Sequence, residues 1–304
     1  MLVSVIVCTR NRAASLRRTL QSIALAANKV TRGWELIIVD NGSSDNTPDV
    51  VESFRDLLPI RIVKQPIPGL SNARNAGVSE SKGEFILWTD DDVLVDEMWL
   101  QNWFRAFCEH DEIAVFGGRA TPVYEEPVQD WFRLQEEELK YLLAIRSAPD
   151  RSEIVDPELP FGLNYAVRGA EQRDTLYNPE LGVAPGRRRG GEEVDLIRRV
   201  LESGERGLWV GDAVVYHLIS AERQSEAYIK NYYTTAGYYN PLRGYEFGRF
   251  LSRSGLYVAA HTFLRASLSY WKLRRKNLAD SVPALILKSR AEGSLRHYLR
   301  IGLR

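Results

Sequence analysis

The 304-residue sequence predicts an α/β fold, a central sheet flanked by helices. Two observations carry the prediction. Short β-branched runs alternate with segments of helical spacing four times up to Phe107, the pattern of strands joined by crossover helices. Polar clusters also follow three of the strand-like runs, and open sheets of this kind bind ligands beyond their C-terminal strand ends.

The elements follow in order. VSVIVCT (3–9) is β-branched, short and bounded by charge, which makes a buried strand. Residues 13–26 set Leu16, Leu20, Ile23 and Leu25 near helical spacing. WELIIVDN (34–41) is a second buried strand running into the turn NGSSD. Thr47-Pro48 opens a helix, with Thr47 as N-cap and Pro48 in the first helical position. IRIVKQ (60–65) is a third strand, and GLSNARNAGVSES (69–81) a loop entering a helix. EFILWTD (84–90) is the fourth strand and MWLQNWFRAF (98–107) another helix. The second half is less regular. Residues 113–124 read as one bent strand, 131–144 as a helix or a loop segment, and 160–169 as a strand with polar interruptions. Residues 186–204 are a Gly- and Arg-rich loop feeding an amphipathic helix. Residues 207–219 are a strand pair or one extended segment carrying His217. There is no internal repeat and no low-complexity tract.

An apolar fraction of 44% supports a sizeable core. Lys and Arg balance Asp and Glu overall, but unevenly: Tyr245 to Arg304 holds twelve basic residues against three acids. A neutral or acidic body with a basic tail implies an anionic partner for the tail. The two cysteines, Cys8 and Cys108, form no disulfide framework and no CxxC metal spacing, which fits a reducing compartment. The N-terminal apolar run is too short for a signal peptide, and no run reaches the length of a membrane-spanning helix. The expectation is a cytoplasmic protein.

WTDDDV (88–93) stacks Asp90, Asp91 and Asp92 behind the fourth strand. Adjacent carboxylates raise one another's pKa unless a cation neutralises them. Mg²⁺ and Mn²⁺ take oxygen ligands and bridge carboxylates to substrate phosphates. If the strand continues, Asp90 and Asp92 fall on the same side, one toward a nucleotide and the other toward a metal. The mundane reading is a solvated acidic turn. Thr9-Arg10-Asn11 and Asp40-Asn41, at the ends of two neighbouring strands, favour a site.

TDDDV resembles the DxD motif of GT-A glycosyltransferases. VSVIVCTRNRAASLRRTLQSI is similar to the opening segment of family 2 glycosyltransferases, VDNGSSDNT to their nucleotide turn, GLSNARNAGV to their Arg loop, and GGEEVDLIRRV to their late acidic motif. Together these cover about residues 3–220 in the expected order. PFGLNYAVRG and the Tyr-His segment resemble bacterial enzymes of surface-polysaccharide assembly.

The resemblance implies a GT-A fold with a Rossmann-like mixed sheet and a helical C-terminal appendage. The catalytic domain would span 1–221, its nucleotide-sugar half about 1–118 and its acceptor half about 119–221; 222–304 would be the basic appendage. It implies inverting, metal-dependent sugar transfer from a nucleotide-diphosphate donor, UDP favoured over GDP or dTDP. The acceptor would be a hydroxyl of a glycan or lipid-linked glycan. Thr9, Arg10 and Asn11 would line the nucleotide pocket, Asp40 would accept a hydrogen bond from the base, and Arg74 would hold base or phosphate. Asp90 would touch the ribose, with Asp91 nearby, and Asn164 would lie by the donor sugar or acceptor. Asp92, with His217, would hold Mn²⁺ or Mg²⁺. Glu193 would be the base, or Glu192 in its place, since the family more often has Asp at the second position. Acids at a helix N-terminus are otherwise explained by the macrodipole.

Arg187, Arg188 and Arg189 read as a diphosphate or acceptor clamp on a mobile lid, or as a solvated loop. Trp88, Trp131 and Phe161 can stack on sugars but are more often core, and none is assigned. Residues 255–277, with Tyr270 and Trp271 before Lys272, Arg274, Arg275 and Lys276, have the composition of an interfacial helix. The expected partner of residues 245–304 is therefore an anionic membrane surface on the inner face of the cell membrane; a lid or an oligomer contact is the alternative. No nucleic-acid motif is present. Two other classes remain: a sugar-nucleotide nucleotidyltransferase, whose glycine-rich phosphate loop CTRNRAAS lacks, and a non-catalytic nucleotide-binding protein.

Overall fold

The computed structural model describes residues 1–30, 33–125, 127–239 and 253–302. Residues 245–252 of the basic tail and the side chains of Arg187–Arg189 lie outside what is described. The chain forms two compact units, Met1–Val123 with Ala144–Leu218, and Tyr124–Leu143 with Ile219–Arg304.

The chain opens with β1 (Val3–Thr9), α1 (Ala13–Ala27), β2 (Trp34–Asp40), α2 (Thr47–Glu52), β3 (Ile60–Lys64), α3 (Leu70–Glu80) and β4 (Phe85–Asp90). Next come β5 (Val93–Val95), α4 (Trp99–Glu109), β6 (Val115–Tyr124), α5 (Asp130–Arg133) and α6 (Glu136–Leu143). Then follow β7 (Asn164–Arg168), α7 (Gly169–Asp174), β8 (Gly182–Ala184), β9 (Arg187–Arg189), α8 (Glu192–Glu202) and β10 (Gly207–Ile219). The last are α9 (Glu226–Tyr239), α10 (Arg253–Arg274) and α11 (Leu278–Gly302).

In the first unit the described residues build an eight-stranded sheet of order β3-β2-β1-β4-β7-β6-β10-β5. β1 to β4 run parallel, while β7 is antiparallel to β4 and β6, and β5 to β10. The sheet is mixed. Side chains alternate between its faces: Val5, Val7, Leu36 and Ile38 pack against α1, α2 and α4, and Ile6, Ile37 and Val39 against α3 and α8. Burial on both faces explains the unbroken apolar runs. Gly77 lets α3 lie close, because a Cβ there would stand 2.8 Å from Ile6 Cγ2.

The parallel register brings the strand ends level. Thr9 lies opposite Asp40, Asp40 opposite Lys64, and Cys8 opposite Asp90. All three polar clusters therefore share one edge.

Three local expectations change, and for residues 207–219 the second of two alternatives holds. The 131–144 helix breaks into α5 and α6 at Leu134–Gln135. The 186–190 loop is partly the ribbon β8–β9, turned at Gly186 with φ +74°. Residues 207–219 form one strand. Thr47 is the first residue of α2 rather than its N-cap, which is Asn46 with no side-chain cap, and the Thr47 N–H donates to Asp45 Oδ1 at 3.1 Å.

In the second unit α10 packs on α11, and α11 on α9. A Cβ on Gly237 would stand 2.0 Å from the Arg290 carbonyl oxygen, and one on Gly293 2.0 Å from that of Thr234. The backbones of α9 and α11 therefore touch, and Ser294 Oγ donates to the Gly237 carbonyl at 3.0 Å. No described helix is long and apolar enough to cross a membrane.

Candidate active site

β4 does not run on through the aspartates. It ends at Asp90; Asp91 and Asp92 form a turn, and β5 then pairs antiparallel with β10. The expected same-side alternation of Asp90 and Asp92 is replaced by this turn. Asp91 points inward, accepting from Thr9 Oγ1 at 2.7 Å and from Arg12 Nη1 at 3.0 Å. Asp92 accepts from the same Arg12 nitrogen at 2.8 Å. The β5–β10 pairing carries His217 alongside, its Nε2 3.9 Å from Asp92 Oδ1. Two residues 125 positions apart in sequence thus meet.

Arg12 was not singled out from the sequence. It sits beyond the strand-end cluster, and only the fold shows that one guanidinium nitrogen bridges two buried carboxylates. Burial raises the Asp91 pKa, Arg12 opposes it, and Asp92 raises it further. Arg12 is the cation that answers the crowding seen in the sequence.

A second cluster is centred on Arg74, which is 2% exposed. Its Nη1 donates to Glu192 Oε1 at 2.7 Å and lies 4.0 Å from Glu193 Oε2. Its Nη2 lies 3.7 Å from Asp90 Oδ1. The guanidinium packs over Trp88 and Tyr177. Burial works against its charge, but Tyr165, Glu192, Tyr177 and Asp90 more than offset that. Arg74 therefore links the acids after β4 to those opening α8. Gly191, with φ +87°, turns the chain so that the helix begins at Glu192. Glu192 is buried, and its pKa is raised by that burial and by the charge of Glu193, with Arg74 opposing. Asp90, whose side chain is partly exposed, is raised by desolvation against the pull of Arg74.

The remaining candidates separate. Asp40 is buried, and its Oδ1 accepts from the Ser43 N–H at 2.8 Å. Arg10 Nη1 donates to the Asn41 carbonyl at 3.3 Å. Asn11 is exposed with φ +52°, and its Oδ1 accepts from the Ser44 N–H at 2.7 Å. Asn41, missed as an individual residue, binds the Gln65 and Ile67 carbonyls and the Gly69 N–H at 2.8–2.9 Å, which fixes the loop into α3. Asn164 is held inside the fold. At 1% exposure its Oδ1 accepts from Trp99 Nε1 at 2.9 Å, and its Nδ2 donates to the Arg119 and Ala213 carbonyls at 2.8 Å each. Its polar capacity is taken up inside the fold, tying β7 to its neighbours. Trp88 is core, with its indole N–H on Gln172. Burial pushes the Cys8 thiol up to about 12, which disfavours the thiolate.

Among the described residues no group of three His, Cys, Asp or Glu side chains forms a metal cage. The Asp92–His217 pair still fits a divalent cation that completes its shell with phosphate oxygens and water, the usual habit of Mg²⁺ at nucleotide sites. An imidazole ligand favours Mn²⁺.

Residues 4–158, about half of the chain, match the profile of Glycosyl transferase family 2. The chain belongs to this family. Poly(ribitol-phosphate) beta-N-acetylglucosaminyltransferase TarP of Staphylococcus aureus is 32% identical over 40% of this chain and 39% of its own length. The chain spans less than half the length of the curated relatives it matches. Two solved structures share the GT-A fold. The mannosyltransferase PcManGT from Pyrobaculum calidifontis, in complex with GDP-Man and Mn²⁺, has a TM-score of 0.62 at 17% identity, covering 96% of this chain and 86% of that one. S. aureus TarS 1–349 in complex with UDP-GlcNAc has a TM-score of 0.52 at 18% identity, covering 97% and 92%.

Proposed function

We propose that this family 2 member is an inverting, metal-dependent glycosyltransferase. It would move a sugar from a nucleotide-diphosphate donor, UDP-linked by preference, to a hydroxyl of a glycan or lipid-linked glycan. The observation that carries the reading is the Arg74 bridge between two acid groups. It brings Asp90, at the end of β4, and Glu192 and Glu193, opening α8, within one guanidinium's reach. UDP-GlcNAc and GDP-Man are the donors named for the two structural neighbours, which supports the donor class and leaves the base open.

In this reading Asp40 Oδ2 accepts from the base, and Asp90 from the ribose. Asp92 and His217 hold the cation, which when bound supplies Lewis-acid stabilisation of the departing diphosphate. Glu193 accepts the proton of the acceptor hydroxyl as that oxygen bonds to the anomeric carbon. The bond from the anomeric carbon to the diphosphate oxygen breaks on the opposite face, releasing the nucleoside diphosphate. Arg74 and Glu192 position Glu193, because the buried pair fixes the first turn of α8. Thr9 and Arg12 position the aspartate turn.

Purified protein incubated with Mn²⁺ and UDP-, GDP- and dTDP-sugars tests this through release of nucleoside diphosphate. Slow turnover of one donor, abolished in Asp92→Asn and reduced at least a hundredfold in Glu193→Gln, is the expected result. Full activity in Asp92→Asn would remove the metal assignment, and absence of calorimetric binding for every donor would remove the donor site.

A further inference from the structure

Helix α10 leaves one face uncovered. Tyr257, Leu264, Leu268 and Trp271 are between 58 and 74% exposed. With His261 between them, their spacings of three and four residues put them in one stripe, about 21 Å long at the helical rise. Ala259, Ala266 and Tyr270 on other faces are buried. Single exposed hydrophobic residues are ordinary, but an aligned row of four large ones marks a contact surface.

Charge selects the occupant. α10 contains no Asp or Glu. Arg265 and Lys272 flank the stripe, and Arg275 and Lys276 follow it, all exposed. Lys288 of α11 stands 4.8 Å from the Tyr270 ring and 5.9 Å from that of Trp271. The neighbouring acid, Glu226, is already engaged by Arg274 at 3.2 Å and by the Tyr270 hydroxyl. A second copy docked through this face would set Arg265 and Lys272 against their own kind, with no acid on either helix to answer them. An anionic surface with an apolar interior answers both the cations and the stripe.

We propose that α10 lies flat on an anionic lipid bilayer. Tyr257, Leu264, Leu268 and Trp271 enter the boundary between headgroups and acyl chains, and Arg265, Lys272, Arg275 and Lys276 meet the headgroups. The helix lies in the membrane plane because it is not apolar enough to cross it. Each cation near such a surface strengthens binding on the order of fivefold. The inference stands on α10 alone and does not depend on the transferase reading.

The test is flotation of the full chain with phosphatidylcholine vesicles, with and without about a third phosphatidylglycerol. The wild type is expected to bind the anionic vesicles at least tenfold more tightly than the neutral ones. Leu264→Gln/Leu268→Gln and Arg265→Gln/Lys272→Gln are each expected to lose at least tenfold at an unchanged melting temperature, since all four residues are exposed. Wild-type protein that fails to float, or variants that float like wild type, overturns the proposal. So does a concentration-dependent dimer that Leu264→Gln/Leu268→Gln dissolves and vesicles do not compete away, because that would make the face a contact between copies.

Discussion

Arg12→Met is the sharpest probe of the aspartate turn. The substitution keeps most of the side-chain volume and removes the cation shared by Asp91 and Asp92 at 3.0 and 2.8 Å. Removing one partner of a fully buried ion pair costs about 3–5 kcal/mol. Asp91 and Asp92 are buried, but the Arg12 side chain is 44% exposed, so water partly replaces it and the expected loss is about 2 kcal/mol. The assay is urea unfolding followed by tryptophan fluorescence in chelator, with Arg10→Met as control. Arg10 donates one bond, at 3.3 Å to a backbone carbonyl, so its loss should cost about 1 kcal/mol or less. The same titrations with Mn²⁺ add a second arm. A cation at a hundredfold excess over its dissociation constant stabilises by about 2.7 kcal/mol. It should restore Arg12→Met by more than it stabilises wild type, where the guanidinium already holds both carboxylates. Unfolding of Arg12→Met at the wild-type midpoint would refute the counter-charge argument. Indifference of the variant to Mn²⁺ would refute the cation site at Asp92 and His217.

Three further outcomes are expected. Asn164→Ala should lose about 2–4 kcal/mol from its three buried hydrogen bonds while leaving donor KM unchanged; a raised KM at normal stability would return Asn164 to the ligand. Gly237→Ala places a methyl 2.0 Å from a backbone carbonyl and should cost about 2–3 kcal/mol by forcing α9 from α11, which helical circular dichroism in urea would detect; an unchanged midpoint would refute that close crossing. Glu192 has a folded pKa above its unfolded one, so it binds a proton more readily in the native state. Its contribution is complete below the ordinary glutamate range and is lost as pH rises through the folded value. Glu192→Gln should therefore flatten the decline of stability with rising pH, and parallel wild-type and variant profiles would show that Glu192 is not the titrating group.

The chain's local chemistry determined much of this protein. Strands and crossover helices up to Phe107 were legible because burial on both sheet faces writes itself as short β-branched runs, and helical spacing as period. Asp90–Asp92 were legible because three adjacent acids behind a strand are unusual, whereas Asp40 and Glu192–Glu193 were legible only through the resemblance of their motifs to family 2, acids at a helix start being ordinary. Other features depend on contacts between residues far apart in sequence, and no local pattern encodes those. Asn164 has the same sequence appearance whether it faces a sugar or ties β7 to its neighbours. Arg74 shows its partner in Glu192 only once α3 and α8 share a sheet face. Arg12 is an ordinary basic residue until the turn after β4 brings two carboxylates to one of its nitrogens. The sequence named the acids, and the tertiary structure decided which cation each of them meets, because charge pairing at 3 Å is a property of position in space.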